Sequence, residues 1–348
     1  LETGPMTSVA ARSAALPPVL LVQFIGALGL SLVLPFLVFL VEGFGGNGFV
    51  YGLLGATYPA CQMIGAPWLG GLSDRRGRRP VLLVSQAGTL LTWILFLVAL
   101  HLPAQPRLSL TPPGGESFLL TLPLLGLFVA RALDGLTGGN ISVAQAVVAD
   151  VSTPERRSRD FGRLAAASSL GFIVGPALAG LLGGTRFGAS VPVTASILVS
   201  TVALGALALR LPETHRPAPA AASASGSGPR PGGWREVWKL PGAPLLLALY
   251  FVIFLAFNVF YTAFPVHAAM ALDWSPARLG IFFAVLSGLM VLVQGPVLAR
   301  VGPRVPAPLL VAGGNLLLAG AFACLTLADA RFTWLCAVLF ALGNGLMW

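Results

Sequence analysis

Ten apolar runs recur along the chain, at about 17–41, 50–72, 80–102, 118–148, 162–183, 190–210, 243–267, 277–299, 307–327 and 332–348. An α-helix rises about 1.5 Å per residue, so about twenty residues cross a hydrocarbon core of about 30 Å. Within lipid every backbone N–H and C=O must find its partner inside the protein, which restricts spanning structures to helices and closed barrels. The runs lack the period-2 alternation of a barrel strand, and the sequence therefore predicts an all-α membrane protein. Only 9% of the 348 residues are charged, against roughly 25% in a soluble domain. The first run is followed by too many others, with no small-residue cleavage site before soluble sequence, to be a removable signal peptide. The tenth reaches Trp348 without a polar flank, as expected of part of a longer protein.

The net charge of +9 is a statement about topology rather than nucleic acid. Sixteen Lys and Arg residues sit at the N-terminus and in the segments 73–80, 150–163, 210–240 and 300–306, whereas the other set of loops holds Arg107, Arg186, Arg278 and Arg331. That asymmetry predicts a cytoplasmic N-terminus in a plasma or inner membrane. Cys61, Cys324 and Cys336 all lie inside apolar runs, where a thiol is a small buried hydrophobe, so no metal or redox chemistry is expected.

After the sixth run, "PETHRPAPAAASASGSGPRPGGW" is too poor in bulky apolar residues to pack and reads as a linker. The predicted organisation is a six-helix bundle over 1–211, a linker with a short interfacial helix carrying Trp234 and Trp238 over 212–242, and a second bundle over 243–348. The halves resemble each other at an offset of about 225–230 residues: "LVLPFLVFL" matches "YTAFPVHAA", and "GAPWLGGLSDRRGRRP" matches "QGPVLARVGPRVP". Repeats of this size with Pro-interrupted helices at matching positions characterise two-fold secondary transporters.

Three constellations carry chemistry. The first is the turn "GGLSDRRGRRP", where Asp74 meets four arginines as one helix ends and the next begins. A carboxylate there can pair with a guanidinium or with the positive N-terminus of a helix. The second lies in the fifth run, where Gly162, Gly171, Gly175, Pro176 and Gly180 are spaced to let helix backbones approach closely. The third is "LFVARALDGLTGGNISVAQAVVAD", in which Arg131 and Asp134 share a helical face deep in an apolar run. Ionisable residues at such depth need a partner or a water-filled cavity. Gly138, Ser142 and Gln145 continue a polar stripe at helical spacing and are candidate cavity residues, as are Gln23, Gln62, Asn258, Tyr261 and Gln294.

These motifs together resemble the major facilitator superfamily, and within it the twelve-helix drug:proton antiporters of the tetracycline-efflux type. Gly70, Leu72, Ser73, Asp74, Arg75, Gly77, Arg78 and Arg79 fill every place of the superfamily's signature between its second and third helices. The resemblance implies two six-helix bundles related by a pseudo-two-fold axis, this sequence ending in the tenth helix. It implies a cytoplasmic gate at Gly70, Asp74, Arg75, Gly77, Arg78, Arg79 and Asp150, an antiporter motif in the fifth run, and, where Arg131 and Gly135 match the proton-transfer motif, an intramembrane Arg131 that influences protonation of nearby acids; the position of Asp134 beside it makes Asp134 the proton-coupling candidate. It departs from the tetracycline type at Gly26, where an acid is usual nine residues before Pro35. The implied function is proton-coupled export of a small amphipathic or hydrophobic compound by a monomer in the bilayer, with protons and substrate as partners and no cofactor. The alternatives are a facilitator or importer of a sugar or organic acid with this fold, and a receptor or scaffold that binds without translocating.

No enzyme signature competes. Lys239 follows Trp238 rather than a Walker glycine, and none of His101, His215 or His267 precedes a Glu. "GFGGNG" at 43–48 fits the letters of a dinucleotide fingerprint, but no strand precedes it.

Overall fold

A computed structural model describes residues 8–111, 117–138, 140–183, 188–214, 238–240, 242–327 and 330–347. The first half contains α1 (Ser8–Gly43), α2 (Gly48–Arg76), α3 (Arg78–His101), α4 (Leu122–Thr137), α5 (Asn140–Val151), α6 (Pro154–Gly183) and α7 (Ser190–Arg210). The second contains α8 (Ala243–Met270), α9 (Pro276–Leu292), a π-helical turn (Val293–Val297), α10 (Leu298–Val301), α11 (Ala307–Leu325) and α12 (Ala330–Leu346). Most of the predicted linker, Trp234 and the interfacial helix among it, lies outside the described residues; Trp238 sits in a turn and is exposed.

Among the described residues six segments are long and apolar enough to cross a membrane: Ala15–Val33, Arg78–His101, Ser190–Arg210, Ala243–Met270, Pro276–Val301 and Pro308–Leu325. Helix α2 ends on Asp74, Arg75 and Arg76, and α6 opens on "PERRSRD" before an uncharged stretch from Leu164. The fourth run is two helices rather than one. It breaks after Thr137, where Gly138 supplies no side chain and little helical preference.

The first part of that run is not helical either. Phe118–Thr121 forms strand β2, antiparallel to β1 (Pro106–Leu110) with Leu108 opposite Leu120, and Pro123 in the first turn of α4 fixes where the helix begins. The hairpin is tied to the turn after α1: Leu119 N–H donates to the Gly45 carbonyl at 2.9 Å and Thr121 Oγ1 to the Phe44 carbonyl at 2.9 Å. Helices α1 and α8 run through Pro35 and Pro265 without interruption, contrary to the sequence expectation. Pro296 instead perturbs the eighth crossing. It has no N–H to donate, and the ladder widens to i→i+5 over Val293–Val297.

Among the described residues, buried side chains form three clusters. One joins α1–α4, α6 and α7 at the hairpin end through Phe36, Trp93, Phe96 and Leu127; another joins α1–α3, α5, α6 and α7 at the basic end through Leu16, Leu69, Leu82 and Leu164. A third, rich in Phe260, Phe264, Phe282, Phe283 and Phe340, belongs to the second half. Helix α6 lies between the halves, packed on α1 along one side and α9 along another. Leu245, Leu246, Phe251 and Val252 of α8 are exposed, as suits an apolar side facing lipid.

Candidate functional site

At the basic end, α2 stops because Gly77 adopts φ 100°, a conformation that a side chain would strain, while its N–H still caps the Ser73 carbonyl at 3.1 Å. The reversal starts α3 at Arg78 and makes that side chain a hub. Its Nη1 meets Asp74 Oδ1 at 2.5 Å and Ser73 Oγ at 2.7 Å, and its Nε meets Asp150 Oδ2 at 3.0 Å. Arg78 is 11% exposed whereas Asp74 is 62% exposed, so the hub is partly shielded but its Asp74 arm is screened by solvent. The predicted gate residues Asp74, Arg78 and Asp150 thus converge within one half, whereas Arg75 and Arg76 are exposed at the negative end of α2.

Sequence reasoning passed over a further member of this turn. Glu213, just beyond α7, accepts the Arg78 N–H at 2.9 Å and the Arg79 N–H at 3.2 Å on its two oxygens. Those amides belong to the first turn of α3, where Gly77 offers no side-chain cap. Arg79 Nη2 returns the favour by donating to the Ala208 carbonyl at 2.7 Å, near the end of α7. The signal available was a lone acid directly after a predicted helix, beside the basic turn. From the end of α5 a second contact reaches α6, where Ser152 Oγ donates at 2.9 Å to the fully buried Asp160.

Deeper in the bundle, α2 and α4 touch backbone to backbone. A side chain at Gly65 would strike the Leu136 carbonyl, and one at Gly135 would strike the Tyr58 carbonyl and Cys61. This approach brings Arg131, only 4% exposed, beneath Tyr58, with its guanidinium carbon 5.1 Å from the ring centroid. Asp134 is half-buried one turn along. Despite the i,i+3 spacing, no salt bridge joins Arg131 to Asp134 among the described residues; the guanidinium stacks on the tyrosine instead.

The break between α4 and α5 leaves carbonyls without helical donors, and neighbours supply them. Gln62 Nε2 donates to the Gly138 carbonyl at 3.0 Å and also to Tyr58 Oη at 2.9 Å, while Ser85 Oγ of α3 donates to the Thr137 carbonyl. The break also corrects the predicted polar stripe. Ser142 and Gln145 belong to α5, where they are exposed, and do not continue the helix that carries Asp134. Tyr58 and Ser85 were not picked out from sequence; Tyr58 and Gln62, four residues apart, share a face of α2.

The fifth-run motif performs close packing. Side chains at Gly171 and Gly175 would collide with the α1 backbone at Phe24–Leu28 and with Ser31 Oγ. Ser31 Oγ in turn lies 3.1 Å from the Gly171 carbonyl. Pro176 and Gly180 continue the same unbroken helix, and Gly162 faces open space at its exposed start. Gln23, 8% exposed, donates to Ser168 Oγ at 2.7 Å and so joins this seam.

The remaining candidates divide. Asn258 is exposed and lines an open cleft of about 780 Å³ between α2 and α8, with Tyr51, Thr262 and His267. Tyr261 does not line it. It is 5% exposed, stacks on Phe257 and Phe283, and hydrogen-bonds Ser287, because position 261 falls on the inward side of α8. Gln294 is half-buried within the π-helical turn. Gly70 has open space beside it, though its carbonyl accepts from Ser73 Oγ at 2.7 Å.

A multi-pass helical fold with a charged turn at one end and ionisable groups at depth is that of a membrane transporter. The Major Facilitator Superfamily profile matches residues 19–348, and the chain belongs to that family of transporters rather than to any class of enzyme. Over 304 residues it is 30% identical to the class G tetracycline resistance protein of Vibrio anguillarum, covering 84% of this chain and 70% of the relative. The class H tetracycline resistance protein of Pasteurella multocida is 28% identical over 289 residues, covering 82% of this chain and 66% of the relative. The chain thus spans about two thirds of the length of these proteins. Among solved structures, the human organic anion transporter MFSD10 (TETRAN) superposes with a TM-score of 0.68 at 20% identity, over 97% of this chain and 84% of that one. The major facilitator fold is therefore shown, and with it an integral protein of many membrane-crossing helices.

Proposed function

We propose that this protein exports a small amphipathic or hydrophobic compound in exchange for protons, with the bundles over 1–211 and 243–348 rocking about a mid-depth cavity. The observation that carries the reading is two ionisable groups, buried Arg131 and half-buried Asp134, on the otherwise uncharged helix α4 beside a helix break. Ionisable groups held at that depth mark ion or proton pathways in transporters. In this reading Asp134 takes a proton from one side and releases it to the other. Arg78, Asp74 and Asp150 form the gate on the cytoplasmic side, a side supported by the excess of arginine in the basic loops. The tetracycline resistance proteins among its relatives make tetracycline the first compound to try.

The test is flux in liposomes containing the full-length protein, wild type beside Asp134→Asn, with internal pH followed as tetracycline and a panel of lipophilic drugs are added under an imposed proton gradient. Drug-dependent proton movement in the wild type and its loss in the variant are expected. Drug flux that ignores the gradient and survives the substitution would move the protein to the facilitator class.

A further inference from the structure

We infer that the ring of Tyr58 is a seat for the Arg131 guanidinium, which holds it off Asp134 and leaves that carboxylate able to accept a proton. The inference rests on the proposed role of Asp134 and assigns to Tyr58 a positioning role. Three observations carry it. Arg131 is buried with its carbon 5.1 Å from the Tyr58 centroid, its Nε has no hydrogen-bond partner, and no salt bridge joins it to Asp134 one turn away. Tyr58 is itself fixed, since Gln62 donates to its hydroxyl and to the carbonyl at the end of α4. The α2 and α4 backbones are in contact at Gly135, so neither ring nor guanidinium can withdraw by separation of the helices.

The physical competition is between two seats for one cation. A desolvated guanidinium over an aromatic face is attracted by the ring's quadrupole, and that contact leaves the neighbouring acid without a direct ion-pair partner. An ion pair with Asp134 would neutralise both groups and fix the carboxylate in its charged form. Among the described residues around it there is no substitute cation. Helix α2 contributes Tyr51, Tyr58 and Cys61 near this level, α3 has no titratable residue between Arg79 and His101, and β2 has none.

The test reads the state of Asp134 without a drug. A hydrophobic carbodiimide attacks protonated carboxyl groups within the bilayer, and Asp134→Asn identifies the label that belongs to this site. In the purified full-length protein in liposomes near neutral pH, Tyr58→Leu should lower labelling of Asp134 at least fivefold. Tyr58→Phe, which keeps the ring and loses only the hydroxyl, should stay within twofold of wild type. In an Arg131→Gln background Tyr58→Leu should have no further effect, because nothing is left to seat. Wild-type protein that does not label at Asp134, Tyr58→Leu that labels like wild type, or a loss that persists without Arg131 would each overturn the inference. Failure of proton coupling itself shows separately, as drug-driven proton movement that survives Asp134→Asn.

Discussion

Replacing Glu213 with alanine should loosen the start of α3 by an amount the geometry sets. The first four N–H groups of a helix have no acceptor inside it, and two of them, at Arg78 and Arg79, are met by the Glu213 carboxylate at 2.9 and 3.2 Å. Loss of a helix N-cap costs about 0.5–2 kcal/mol, and a negative charge at a helix N-terminus adds about 0.3–1 kcal/mol where it is exposed. The two overlap, because one group supplies both, and a net effect of about 1–2 kcal/mol follows; that is roughly a 5- to 30-fold change in a local equilibrium. Amide hydrogen exchange followed by mass spectrometry on peptides spanning 77–82 should therefore accelerate about 5- to 30-fold in Glu213→Ala, by the same conversion. Glu213→Gln, which keeps one acceptor and drops the charge, should fall between this variant and wild type. Peptides from the middle of α3 serve as the internal control and should not change. Exchange at 77–82 that rises less than about twofold in Glu213→Ala would refute the capping argument.

Two further outcomes follow from the same structure. Gly175→Ala would set a Cβ 2.9 Å from both the Leu28 carbonyl oxygen and the Leu32 nitrogen, and overpacking of that kind costs about 1–3 kcal/mol; its unfolding midpoint in detergent should drop, whereas Gly162→Ala, facing open space, should not lower it. Gln62→Leu strips a donor from the Gly138 carbonyl at the break, with a cost of about 1–3 kcal/mol for an unmet buried group, and hydrogen exchange over 136–142 should rise while that over α6 stays as in wild type.

Features set by near neighbours in the chain were readable in advance. Asp74 and Arg78 stand four apart around a glycine, and their meeting needs only a helix and a tight turn. The glycines at 171 and 175 were legible as a packing surface for the same reason, though not that α1 would occupy it. Contacts made across long stretches were not readable: Glu213 reaches Arg78 over 135 residues, and Gln62 reaches Gly138 over 76. The fourth run illustrates a different limit. An apolar segment such as "FLLT" fits strand or helix equally well by periodicity, and its pairing with residues 106–110 decided the matter. Arg131 and Asp134 were rightly placed on one face, but the ring that takes the guanidinium comes from another helix, and the spacing alone could not show it.

Helix α6 is bordered by two joints of opposite mechanical character. Toward α1 it is keyed: glycines let backbone ride against backbone, Ser31 and Ser168 supply bonds across the joint, and a slip of one residue, about 1.5 Å, would drive side chains into occupied space. Toward α9, whose sequence beyond Arg278 is apolar apart from Ser287, the oriented contact is the chain of hydroxyls from Tyr261 through Ser287 to the Phe172 carbonyl. Apolar contacts are non-directional, so displacement exchanges one set of equivalent neighbours for another and sacrifices few oriented bonds. A load applied across the molecule would thus be carried through α1 and α6 as one lever and relieved at the α9 slip plane.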